Sequence, residues 1–228
     1  MPNQRDIAMD LMDEKRFSEA IPIFNNLIEI TPDDWSTHYM LGQCLRFTAK
    51  IVGAVQSLQK ATSLNSANPQ VFLAYGIALQ IEGRYEEAIS ALEHAIELDA
   101  GFISAYNSLG MTYRIIGNSR TAIDWYSLAT DKLVEMAQDV AKEDKDKCFE
   151  DKIIDGVKSR VFLPYYMEKI YSTLRSDPTY SIIMNNIGVC LIELGDTELA
   201  RERFLESIEF IPDGYEYPEP SQNIQSLN

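Results

Sequence analysis

Apolar residues return at steps of three and four along most of this chain, the spacing that gathers them on one side of an α-helix. The run from Val71 to Ala100, VFLAYGIALQIEGRYEEAISALEHAIELDA, carries that pattern twice, with Gly83 breaking it in the middle. Gly117 and Gly195 interrupt comparable runs downstream, so each run predicts a helix, a turn and a second helix. Pro32, Pro69, Pro178 and Pro212 fall between runs, where a helix has stopped or has yet to begin.

The runs are copies of one unit. Ala20, Ala54, Ala88 and Ala122 recur 34 residues apart. Twelve residues before each stands a small residue (Ala8, Gly42, Gly76, Gly110), and four after each a large apolar one (Phe24, Leu58, Leu92, Tyr126). Leu27, Ala61, Ala95 and Ala129 follow three residues later. Gly188, Ala200, Phe204 and Ser207 repeat the same offsets as a fifth copy. Small residues such as Gly76 and Ala88 let two helix backbones approach where a branched side chain would clash.

On these residues the chain resembles the tetratricopeptide-repeat family, with four units over 1–136 and a fifth over 181–214. The resemblance implies an all-α fold, a right-handed superhelix (solenoid) of antiparallel helix pairs. It also implies that the first helix of each unit lines a concave groove that takes an extended peptide or a helix. Two features depart from the family pattern. The early aromatic of the first helix is Gln4 in unit one and His38 in unit two. Ser66, Ala100 and Val134 stand where a closing proline is usual, so those second helices are expected to run longer.

Residues 137–180 break the period. AQDVAKEDKDKCFEDKIID suits a solvated extension of the preceding helix, and Ile153, Ile154, Val157, Val161, Tyr165 and Ile170 then follow at helical spacing, with Pro164 as a kink. An elongated, charged helical hairpin is expected there, against the alternative of a disordered loop. The tail 215–228 contains two prolines and shows no amphipathic pattern or closing helix. Either Tyr215 and Tyr217 fold back onto the last unit, or its face meets another subunit, or the tail frays.

Charge narrows the functional classes. With 20 Lys+Arg against 35 Asp+Glu the net charge is -15, which repels a nucleic-acid backbone. No stretch of about 18 apolar residues is present to span a bilayer. Asp6, Asp10 and Asp13 interrupt the N-terminal region where a secretory signal needs an apolar run. Cys44, Cys148 and Cys190 are scattered and odd in number, which is no disulfide framework. A reducing, cytoplasmic setting is expected.

Catalytic chemistry finds no convergent set. His38 and His94 sit in different units without a metal-ligand partner, and read as packing or surface residues. Cys44 and Cys190 share an offset that elsewhere holds Asp10, Ala78 and Thr112, and read as buried thiols. Cys148 lies in the charged stretch and is expected to be exposed. Glu86/Glu87 and Asp33/Asp34 stand at helix starts, where carboxylates complement the dipole. No phosphate-cradling glycine loop occurs. No enzyme, cofactor or metal is expected.

What remains is a surface. By the resemblance, the groove-facing offsets fall on Arg5, Met9, Tyr39, Gln43, Arg46, Leu73, Ile77, Asn107, Met111, Arg114, Asn185 and Val189. This stripe is rich in apolar residues, and its clear charges are arginines although the chain is acidic. An amphipathic partner segment with apolar anchors and an occasional carboxylate fits it, its backbone held by Asn107 and Asn185. Chaperone-clamping members of the family use a Lys/Asn set; Arg5, Met9 and Ala74 stand at those places, and no first helix carries Lys. The expected function is a non-catalytic scaffold or adaptor. The alternatives are an assembly subunit that self-associates through its last repeat, and a chaperone holding an unfolded client.

Overall fold

The computed structural model describes residues 3–143, 149–154, 157–162 and 164–227. The chain divides into two compact units, Met1–Thr112 and Tyr113–Asn228. The first unit holds α1 (Gln4–Asp13), α2 (Phe17–Ile30), α3 (Trp35–Phe47), α4 (Ile51–Leu64), α5 (Pro69–Glu82) and α6 (Tyr85–Leu98). Successive helices pack on one another from α1 to α6. Helix α7 (Ile103–Ile115) crosses the division. The second unit holds α8 (Ser119–Glu143), a β-hairpin of β1 (Phe149–Ile154) and β2 (Val157–Phe162), then α9 (Pro164–Leu174), α10 (Thr179–Glu193), α11 (Thr197–Glu209) and α12 (Glu219–Ser226). There α8 packs on α9 and α10, α10 on α11, and α12 on α11 and α10.

The repeat offsets are the core. Ala20, Ala54, Ala88, Ala122 and Ala200 are fully buried, as are Phe24, Leu58, Leu92, Tyr126 and Phe204 four residues later. In the second, third and fifth units the large side chain presses on the glycine of the facing first helix, Leu58 on Gly42, Leu92 on Gly76 and Phe204 on Gly188. The turn between paired helices needs a left-handed residue. Gly83, Gly117 and Gly195 supply it at φ of 85, 82 and 85°, while Lys15 (59°) and Ala49 (58°) supply it in the first two units. A non-glycine residue there costs about 1 kcal/mol, which the surrounding helices over-determine.

Helix starts are chemically specified. Asp34 caps α3 by accepting from the Ser36 N–H at 3.2 Å, and it also accepts from the Thr37 hydroxyl at 2.6 Å and from Arg5 at 2.8 Å. Partial burial opposes the Asp34 charge, but the hydrogen bonds from Thr37 and Ser36 and the charge of Arg5 outweigh it and hold the carboxyl below its ordinary range. That contribution is present above the unfolded carboxylate range and is lost as acid carries pH down through the folded value. Asp34→Ala is expected to cost about 2 kcal/mol, because the cap is lost and the buried Thr37 hydroxyl is left without its acceptor. Asp34→Asn keeps the cap and is expected to cost about 1 kcal/mol or less. Urea unfolding at neutral pH separates the two variants.

Several expectations are corrected. Among its described residues, the segment expected as an elongated helical hairpin is helical only at its ends. Helix α8 does continue to Glu143, but β1 and β2 pair antiparallel, Phe149 with Phe162 and Ile154 with Val157. Isoleucines and valines matched to a helical step also suit strands, and the Asp155-Gly156 dipeptide between them is a two-residue hairpin signal. Pro164 opens α9, where its missing N–H costs nothing, instead of kinking a helix. The charged residues 144–148, Cys148 among them, lie outside the described residues.

The tail is not frayed. Pro218 and Pro220 start α12, and Pro220 is buried against the last repeat. A closing helix is therefore present where the sequence showed none, and it packs on α11 and α10. Of the three second helices lacking a closing proline, α4 and α6 stop at Leu64 and Leu98, and only α8 runs on.

Candidate partner-binding face

The expected face lies on the first helices α1, α3, α5, α7 and α10, whose stripe positions play different parts. Arg5, on α1, is committed internally through its ion pair to Asp34 and hydrogen bonds to the hydroxyls of Thr37 (3.2 Å) and Ser36. It fastens α1 to the start of α3. In the second unit, Arg114 pairs with Glu193 at 3.2 Å, and Glu193 also accepts from the Ser119 hydroxyl. Asn185 is buried and accepts a 2.9 Å bond from Asn223, so it seats α12 and is not open to a guest.

Arg46 differs. Tyr39, Gln43 and Arg46 stand at consecutive turns on one side of α3. Gln43 donates to the Tyr39 hydroxyl at 3.2 Å and accepts from Arg46 Nε at 3.1 Å. The guanidinium lies over the Phe47 ring, 4.2 Å from its centroid. Among the described residues it has no carboxylate partner. Burial lowers the Arg46 pKa from its ordinary value, with the Tyr39 hydroxyl opposing, and the guanidinium stays protonated. The cation is thus oriented on one edge, partly desolvated and without a counter-charge.

Helix α5 packs beside α3 and carries Leu73 and Ile77 at the offsets of Tyr39 and Gln43. Leu73 is buried, whereas Ile77 is half-buried, as are Met9, Met111 and Val189 on their own helices. Gln80, at the Arg46 offset, is buried and donates to Thr112 at 2.9 Å. Asn107 is half-buried, and its Oδ1 has no donor among the described residues. Sequence reasoning missed Phe47 as the ring beneath Arg46, although the Arg-Phe dipeptide was its signal. It also missed Asp34, Glu193 and Asn223 as internal partners, because pairings across 29, 79 and 38 residues leave no local trace.

Cys44 and Cys190 are buried free thiols, pushed up to about 11 by desolvation. His38 bonds the Pro32 carbonyl at 2.8 Å, and His94 packs edge-on to Phe72. Among the described residues no three His, Cys, Asp or Glu side chains converge as a metal-ligating group. None of their helices is long and apolar enough to cross a membrane.

Residues 13–95 match the family model of the anaphase-promoting complex, cyclosome, subunit 3, and residues 182–213 match that of the tetratricopeptide repeat. Superkiller protein 3 of Schizosaccharomyces pombe is 26% identical over 170 residues, which is 73% of this chain and 12% of that protein. A crystal structure of MamA is similar at 20% identity and a TM-score of 0.61, covering 90% of this chain and 94% of that one. MamA of Desulfovibrio magneticus RS-1 gives 0.65 at 16% identity, with 91% and 92% covered. A thermophilic TPR protein of Thermus thermophilus gives 0.62 at 12% identity, with 99% and 98% covered. At such identities these structures share the all-α solenoid fold with this chain. Five copies of the small and large offsets and a repeat model matched on the last of them support a likeness to the tetratricopeptide-repeat family.

Proposed function

We propose that this chain is a non-catalytic interaction scaffold whose first helices hold an amphipathic segment of a partner protein, with Arg46 receiving a carboxylate of that segment. Tetratricopeptide-repeat proteins generally mediate protein–protein interaction, and such scaffold families are generally non-catalytic. The observation that carries the reading is the ring-stacked guanidinium of Arg46, which has no carboxylate partner among the described residues, in a chain of net charge -15. Arg5 and Arg114, the other arginines of the expected stripe, each find a carboxylate of their own. A cation held half-buried without one gains by receiving a charge from outside. Half-buried Ile77 on the neighbouring helix and Met9 and Met111 on the same stripe offer apolar seats.

An array of amphipathic peptides, made in two series that differ only in Asp/Glu against Asn/Gln, tests this. Wild-type protein is expected to prefer the carboxylate series, and Arg46→Gln to lose that preference with an unchanged circular dichroism spectrum. Equal retention of both series by the wild type would overturn the assignment.

A further inference from the structure

A second surface lies in the Tyr113–Asn228 unit, apart from the first-helix stripe. Between the later part of α8, α9 and α11 runs an open groove of about 680 Å³. A second depression of about 680 Å³ continues it along α9, and the two share Met167 and Tyr171. The floor is aromatic. Phe210 packs against Tyr171 at 5.7 Å and against Tyr180 at 4.8 Å. Met167, Tyr171 and Leu205 present 45, 42 and 55% of their surface to solvent, more than isolated surface apolar residues explain, since they share one trough.

The rim is acidic. Glu168, Glu202, Glu206, Glu209 and Asp213 line it against two arginines. Arg203 is taken up by Glu206 at 2.5 Å, with Glu202 more distant at 3.9 Å, and Arg175 by Glu209 at 3.1 Å. Tyr180 donates to Glu206 at 2.6 Å, which fixes that carboxylate at the edge of the trough. Glu168 and Asp213 are exposed and have no cationic partner among the described residues. A second copy of this chain would bring another -15 of charge to a surface already negative.

We infer that this groove docks a basic amphipathic helix of a different protein, its apolar side on Met167, Tyr171 and Leu205 and its Lys/Arg side toward Glu168, Glu202 and Asp213. The surface is distinct from the Arg46 face and selects the opposite charge.

The probe is a pair of 14-residue amphipathic peptides, one Leu/Lys and one Leu/Glu, titrated into the whole chain by fluorescence anisotropy. The Leu/Lys peptide is expected to bind, and the Leu/Glu peptide to bind at least tenfold more weakly in the Arg46→Gln protein, where the first-helix cation that would receive its carboxylates is gone. Met167→Lys/Leu205→Lys is expected to weaken the Leu/Lys peptide at least tenfold. Ile30→Lys/Val52→Lys makes the same change in net charge at exposed sites in the other unit and is expected to weaken it less than threefold. Arg46→Gln, which removes the cation without adding a carboxylate, is expected to leave it within twofold, which separates failure of this groove from failure of the Arg46 reading. Equal loss in the two Lys double variants would reduce the binding to net charge and overturn the inference. So would a wild-type dimer in sedimentation that Met167→Lys/Leu205→Lys turns into a monomer, since the occupant would then be a second copy.

Discussion

Gly188→Val is expected to destabilise the second unit by about 3 kcal/mol, at the upper end of overpacking effects. A Cβ at residue 188 would sit 2.4 Å from Phe204 Cε1 and within 2.9 Å of two more ring atoms. Phe204 is fully buried, so the ring has no vacant space to move into. Nor does the helix pair yield at its far end, where Ser181 donates to the Ser207 carbonyl at 2.9 Å and Ser207 donates to the Ser181 carbonyl at 2.7 Å. Separating α10 from α11 would strip both buried hydroxyls of their acceptors. Gly188→Ala is expected to lose less, because alanine regains about 1 kcal/mol of helix propensity against the crowding. Urea unfolding followed by circular dichroism gives both values. Phe204→Leu added to Gly188→Val is expected to recover part of the loss, since the smaller side chain vacates the ring positions. A Gly188→Val protein as stable as wild type would mean that this contact does not set the distance between the helices.

Arg46→Glu is expected to weaken a captured carboxylate peptide about a hundredfold, or about 2.8 kcal/mol. Reversal removes a charge-assisted hydrogen bond and places like charges together at a half-buried site. Folding stability is expected to fall by less than about 1 kcal/mol, because the intramolecular partners lost are one ring face and one amide oxygen. Wild-type affinity is expected to decline with added salt, and that slope to flatten in the variant. A peptide with Lys in place of its Asp is expected to regain binding to the Arg46→Glu protein, whose new carboxylate it would pair. Arg5→Glu behaves differently on the same reasoning: it sets a carboxylate against Asp34 and registers in stability. Wild-type capture by Arg46→Glu at low salt would remove Arg46 from the interface.

The repeat made most helices legible, because burial of one residue in three or four is a one-dimensional pattern. Gly83, Gly117 and Gly195 marked turns for the same reason, and a left-handed residue is needed there whatever the partner helix. The β-hairpin escaped because Ile153, Ile154, Val157 and Val161 satisfy a helical step and a strand alike over so short a stretch. The closing helix α12 escaped because its eight residues are too short and too polar to repeat an apolar step, and Pro220 and Asn223 acquire their role only against α10 and α11.

Local sequence thus determined which residues form paired helices and which of their positions must be small. Both depend on backbone geometry and on neighbours three or four residues away. Which arginine of the expected stripe is left without a carboxylate among the described residues was decided only in three dimensions. Arg5, Arg46 and Arg114 occupy the same stripe, and what separates them is whether a distant carboxylate arrives. The acidic trough was decided there too, since α8, α9 and α11 build it from residues about 70 positions apart that share no period.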